Sequence, residues 1–290
     1  MHTMTKRIVF LVGSVFVGIG DVLVNSIRKV LGLQPRKRCV VLTYHSVTTA
    51  ERPLFARQMD ILLRHSKPVR ADIESLPVKG GYYAVVTFDD GMQNIVDNAL
   101  PELQKRGIPA TLFIITDALG RAPDWEYFGP KDTGSERVMT EEQLRKLPSE
   151  MVEIASHTMT HPVLPNIDDE KLVLEVEGSR AKLENMLGRK VSLLSFPYGA
   201  FNEKVVSACR KAGYNRVYSA LPFFAFNEEK EFLSGRIGVH ATDWPIEFHL
   251  KVLGAYRWLP FVFDLKRQLK SLIRGTSQSK IALNPGEKTA

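Results

Sequence analysis

Short apolar runs alternate along the chain with longer segments of helical period. Runs at Cys39–Thr43, Ala84–Phe88, Ala110–Ile115, Met151–Ala155, Val191–Ser195, Arg216–Ser219 and Arg236–Val239 read as strands. Between several of them, Asn94–Arg106, Thr140–Leu147, Asp168–Leu187 and Asn202–Ala212 carry helical spacing. Thr140 with Gln143 makes a capping box, Asn202 is a good N-cap, and Gly107, Gly188 and Gly213 fall where helices should stop. Strands interleaved with helices predict a parallel sheet with crossover helices. His45, Asp89, Asp90, His157, Pro197, Tyr198 and His240 all follow the C-terminal ends of strand candidates. In barrels that end carries the site, so the expectation is an α/β protein: a distorted (β/α)7-type barrel of parallel strands, flanked by amphipathic terminal helices.

The two ends follow another pattern. Ile8 to Gly20 is an uncharged apolar run behind Lys6 and Arg7, interrupted by Asp21. It is shorter than the roughly 20 residues that span a bilayer, and a signal or an anchor has this shape. Val22, Leu23, Ile27, Val30 and Leu31 then recur at helical spacing around Arg28 and Lys29. Near the other end Leu265, Leu269, Leu272 and Ile273 form a stripe with Lys266, Arg267, Lys270 and Arg274 off it. Basic amphipathic helices are an interfacial membrane signal. The domains expected are therefore an apolar, basic segment at 1–38, a catalytic domain at 39–247, and a basic helix with a polar tail at 248–290.

Charge supports that division. The net +7 of the 290 residues looks like a nucleic-acid signal until it is apportioned. Residues 1–38 carry +6 and residues 248–290 another +6, leaving the stretch between them at −5. A mildly acidic middle argues against a nucleic-acid groove, and basic ends argue for anionic lipid. The expected location is a membrane or the cell envelope, with the cytoplasm left open. Two cysteines, Cys39 and Cys209, are too few for a cysteine-rich zinc site and read as buried thiols.

The chemistry is concentrated in two strings. Thr-Phe-Asp-Asp-Gly at 87–91 sets two carboxylates side by side at the end of an apolar run. Ser-His-Thr-Met-Thr-His-Pro at 156–162 sets His157 and His161 four apart, and Pro162 makes a continuing helix improbable. One carboxylate with two imidazoles makes a three-ligand metal site with positions left open, the catalytic rather than the structural pattern. The second carboxylate is then free to act as a base.

These strings, followed by Phe-Pro-Tyr-Gly at 196–199 and preceded by Leu-Thr-Tyr-His-Ser-Val at 42–47, resemble the polysaccharide deacetylase family (the NodB homology domain, carbohydrate esterase family 4) over about residues 39 to 245. The resemblance implies that Asp90, His157 and His161 ligate one divalent metal, usually zinc, with cobalt, nickel or manganese as alternatives. It implies attack of a metal-bound water on an acetamide carbonyl, with Asp89 as general base. The backbone N–H of Tyr198 would hold the oxyanion, and a histidine would protonate the departing amine. The reaction implied is removal of N-acetyl groups from N-acetylhexosamine units of a glycan. The family's Arg two residues before the Pro of Pro-Tyr is Ser195 here, and Arg236 is the expected replacement. The family's Asp-x-x-Asp-Trp and Leu-x-x-His contexts are absent. His240, which is followed by Asp243-Trp244, is the expected acid, with His45 as the second candidate. His45, Pro197, Tyr198, Trp125 and Arg236 are expected to line the substrate, with Trp125, Tyr127 and Phe128 offering aromatic faces to sugar rings. Two other readings stay open: hydrolysis of a different amide on the same fold, and a glycan-binding relative without catalysis.

Overall fold

The structure, a computed structural model, describes residues 2–34, 36–77, 80–125 and 136–262. Tyr127, Phe128 and the stripe Leu265 to Ile273 lie outside them.

The strands are β1 (Lys37–Tyr44), β2 (Lys67–Pro68), β3 (Gly81–Phe88), β4 (Ala110–Ile114), β5 (Val152–Ser156), β6 (Leu193–Ser195), β7 (Arg216–Tyr218), β8 (Leu233–Ser234) and β9 (Ile237–Gly238). Every paired strand is parallel to its neighbour, in the order β8-β7-β6-β5-β4-β3-β1-β9, with β2 added on β3. The two ends of that path are consecutive in the chain. Residues 233–234 pair with β7 and residues 237–238 pair with β1. One extended segment, broken at Gly235–Arg236, thus closes the sheet into the distorted seven-stranded barrel that the alternation predicted. The break turns Arg236 inward, and it is the largest fully buried side chain.

The helices are α1 (His2–Val30), α2 (Arg52–His65), α3 (Leu100–Arg106), α4 (Glu141–Arg145), α5 (Asp169–Val173), α6 (Ser179–Leu187), α7 (Glu203–Lys211) and α8 (Pro245–Val252). The capping box on Thr140 and the Asn202 cap are both formed. Both cysteines are buried free thiols. Strand residues alternate between the barrel interior and the helix layer, which is why the apolar runs read as continuous. Cys39, Val41, Val85, Phe113, Ala155, Leu193 and Tyr218 belong to one buried cluster, and Val40, Leu42, Val86, Leu112, Ile154, Leu194 and Val217 to the larger one.

At the ends, α8 runs across the boundary drawn at 247, and Phe248, Leu250, Val252, Ala255 and Tyr256 are buried in the main core. The N-terminal segment is one continuous 29-residue helix. That helix is docked on the barrel. Arg7 Nε donates to Glu247 at 2.8 Å, and Trp258 Nε1 donates to Ser14 Oγ at 3.0 Å. Asp21 takes Arg257 at 2.8 and 2.9 Å and Arg38 at 2.9 Å, and Asn25 donates to Tyr82 at 2.8 Å. Gly13 permits the approach, since a Cβ there would lie 2.3 Å from the Trp258 ring. A chain lacking residues 1–33 is therefore expected to melt about 10 °C lower, because it loses the carboxylate shared by Arg38 and Arg257 and the packing of α1 against Trp258. An unchanged thermal midpoint would mean that α1 only rests on the surface.

Candidate active site

β1 and β3 pair in perfect phase, Lys37 with Gly81 through Tyr44 with Phe88. The residues that follow are therefore brought together by register alone, and Asp89 N–H donates to the Tyr44 carbonyl at 2.9 Å, beside His45. β5 adds His157, whose N–H donates to the Ile114 carbonyl at 2.9 Å, and β6 adds Ser195. The loop after His45 is pinned by Asn94 and Asn98, which bond both backbone groups of Val47.

Asp90, His157 and His161 are all buried, and one donor atom from each lies within 4.8 Å of the others. Asp90 Oδ1 is 3.6 Å from His157 Nε2 and 3.7 Å from His161 Nε2. These separations are too long for hydrogen bonds. They approach the roughly 3.4 Å between tetrahedral ligands held at about 2.0–2.2 Å from one ion. His157 Nδ1 sits 2.9 Å from the Ser195 carbonyl oxygen and 2.6 Å from its hydroxyl. A carbonyl can only accept, so Nδ1 carries the proton and Nε2 presents its lone pair to Asp90. Burial pushes both imidazoles down, His161 well below its ordinary range and His157 against the pull of Asp89. Neutral imidazoles are the ligating form, so this donor set fits a divalent cation.

Asp89 lies beside the cluster, its Oδ2 3.9 Å from His157 Nε2. Arg236 forks it, with Nη1 to Oδ1 at 2.7 Å and Nη2 to Oδ2 at 2.8 Å. The guanidinium is itself held by Thr43 Oγ1 and the Ser219 carbonyl. Burial pushes the Asp89 carboxyl up, but Arg236 and His157 together outweigh it and hold the group well below the usual carboxylate range. Ser195 Oγ adds a 3.3 Å bond to Asp89 Oδ1. The cation expected at Arg236 is in place, while the expectation that it lines substrate is corrected: at 2% exposure it lies beneath the base.

His240 follows β9 and the Val239 N–H bond to the Thr43 carbonyl, and it lies at the exposed rim, where its N–H bonds Asp243 and its carbonyl accepts from Gln58. His45 is the histidine in electrostatic range of Asp89, His157 and Arg236, and burial pushes it down to about 4. Trp125 and Tyr198 flank the metal cluster, their ring centroids 5.6 and 4.6 Å from that of His161. Pro197 is buried beneath Tyr198 in the turn that follows β6.

Backbone strain is concentrated here. Asp90, Thr158, His161 and Tyr198 are non-glycine residues at φ of 67, 68, 61 and 56°. Such conformations cost on the order of 1–3 kcal/mol each and persist where the surroundings impose them. One of those surroundings escaped the sequence reading. Glu175 lies buried in a π-helical turn, Leu174–Gly178, between α5 and α6. Its carboxylate accepts from Met159 N, Thr160 N and Thr160 Oγ1 at 2.8, 3.0 and 2.5 Å, fixing the turn that carries both histidines. π-turns recur at functional sites because one extra residue re-aims a side chain.

With this geometry in view, comparison with known proteins gives a consistent result. Residues 79–217 match the family described as polysaccharide deacetylase. The chain is 28% identical over 155 residues to the protein YxkH of Bacillus subtilis (strain 168), covering 53% of this chain and 50% of that one. It is 26% identical over 137 residues to the poly-beta-1,6-N-acetyl-D-glucosamine N-deacetylase of Staphylococcus epidermidis, covering 44% of each. The matches span about half the length of these two relatives, or less. The structure of IcaB from Ammonifex degensii superposes with a TM-score of 0.64 at 25% identity, covering 77% of this chain and 99% of that one.

Proposed function

Since residues 79–217 place this chain in the polysaccharide deacetylase family, we propose that it is a metal-dependent N-deacetylase acting on N-acetylhexosamine units of a glycan. The observation that carries this reading is the pairing of two adjacent carboxylates with different tasks. Asp90 joins His157 and His161 in a three-donor set, and Asp89 is held apart from them by a buried arginine. A divalent ion, zinc being the best match to two imidazoles and a carboxylate, would supply Lewis acidity that polarises the acyl carbonyl and acidifies water.

Asp89 is kept ionised by Arg236 and so is ready to take a proton from the attacking water. Oδ1 accepts from both Arg236 and Ser195, while Oδ2 spends one lone pair on the guanidinium and keeps another for the reaction. The Tyr198 N–H is assigned to the oxyanion. His45, neutral through burial, relays the proton to the departing amine nitrogen, the role first expected of His240. Trp125 and Tyr198 are assigned to the sugar, whose apolar face suits an aromatic wall.

Acetate release from poly-β-1,6-N-acetylglucosamine and from β-1,4 N-acetylglucosamine oligomers tests this reading. Release is expected to stop with a chelator and return with zinc, on protein carrying one ion per chain. His161→Ala is expected to lose both metal and release. Release that survives complete metal removal would overturn the proposal.

A further inference from the structure

The polar residues of α1 lie on one stripe. Arg7, Ser14 and Asp21 recur every seven residues, with Asn25 one turn beyond. Seven residues are nearly two helical turns, so these side chains share a face, and each has its partner on the barrel. The opposite face is apolar: Phe16, Ile19, Leu23 and Ile27 are 70, 52, 60 and 59% exposed. An 18-residue stretch within Met4–Val30 has a mean hydropathy of 2.1, and 6% of it is buried, so α1 is not a core helix. A helix crossing a bilayer would have little use for a carboxylate committed to two arginines of the domain. α1 is bound along one long side, from Arg7 beside Thr242 to Asn25 beside Tyr82.

Between α1 and the start of β1 lies a cavity of about 630 Å³, lined by Asp21, Arg36, Lys37, Arg38, Asn227 and Arg257. Four cations face one carboxylate, and that carboxylate is shared by Arg38 and Arg257. Arg38 is 7% exposed, and its Nη1 is buried with no hydrogen-bond partner among the described residues. A buried charged donor without an acceptor is costly. A guanidinium edge beside further cations selects an oxyanion, phosphate above all.

We propose that α1 lies in the plane of a membrane surface with its apolar face in the acyl region. The phosphate of an anionic phospholipid occupies the basic cavity, held by Arg38, Arg36, Lys37 and Arg257. The apolar face and the cavity are adjacent because Val17, Gly20 and Val24 of α1 form the cavity wall. Interfacial helices combine these two contributions, buried apolar area and attraction to anionic lipid. The arrangement also sets the catalytic mouth beside the membrane, since the partners of Arg7 at Thr242 and Asp243 directly follow the rim residue His240.

Flotation of the full chain with phosphatidylcholine vesicles, with and without phosphatidylglycerol, tests this. Affinity is expected to be about tenfold or more higher with phosphatidylglycerol. Arg36→Glu with Lys37→Glu, both exposed, should remove that preference. Arg145→Glu with Lys146→Glu, an equal charge change at exposed positions where α4 ends, should leave it. Phe16→Ser with Leu23→Ser should weaken binding to both vesicles, with acetate release from a soluble oligomer unchanged. Equal binding to both vesicles would overturn the proposal, as would equal losses from the two charge-reversal pairs. Thermal stabilisation by inorganic phosphate without any vesicle preference would make the cavity a free-phosphate site and overturn it as well.

Discussion

Asp89→Asn is expected to lower acetate release by about 10²- to 10⁴-fold, the range a positioned general base contributes, while leaving one metal ion per chain. The two halves of that result come from different atoms. Asp90, His157 and His161 form the donor set without Asp89, so metal content should not change. The proton acceptor disappears, because an amide oxygen is far too weak a base to replace a carboxylate. The substitution also costs stability. Arg236 has 1% of its side chain exposed, and its charge is balanced chiefly by Asp89. Losing the partner of a buried ion costs about 3–5 kcal/mol. Turnover should therefore be measured at a temperature where a melting curve shows the variant folded. A folded, metal-loaded variant that turns over at the parent rate would remove Asp89 from the reaction.

Much of the barrel and the metal cluster was legible in the sequence because strand ends are readable. An apolar run that stops at Asp89 or His157 marks both an element and its chemically active edge. Ser195 in place of the expected arginine pointed to a cation from elsewhere, and Arg236 is the side chain found on Asp89. What was missed depends on phase. A π-turn inserts one residue into the helical period, so nothing in the helical spacing of Asp168–Leu187 singled out Glu175, although it holds the histidine turn. The last strand is broken at Gly235–Arg236, one part pairing with β7 and the other with β1, a break that an apolar run does not announce. In α1 the polar positions looked like interruptions of an apolar run. Their seven-residue spacing makes sense only once Glu247, Trp258, Arg257 and Tyr82 are seen opposite them.

Arg236→Met should separate holding the base from being the base. The side chains are similar in length, but methionine leaves Asp89 buried without its fork, and the loss of a buried partner again costs about 3–5 kcal/mol. The kinetic signature is a pH shift with a definite sign. In the parent, Arg236 is the largest influence pulling the Asp89 carboxyl down against its burial. Without it burial dominates, and the carboxyl rises towards or above the ordinary value of about 3.9. The base form is the ionised one, so the acid limb of the rate profile should move to higher pH in the metal-loaded variant. Activity lost near neutrality should return in part as the pH is raised. Stability follows the same sign. In the parent the depressed carboxyl contributes stability above its unfolded value, and that contribution is lost as pH falls through the folded one. In the variant Asp89 instead favours the folded state when protonated, so its stability should fall as pH rises through the raised value. Arg236→Lys keeps the charge but offers no planar fork, and should sit between the two in both rate and pH position. An acid limb that stays in place in Arg236→Met, with the rate lowered equally at every pH, would mean that Arg236 serves the barrel closure alone.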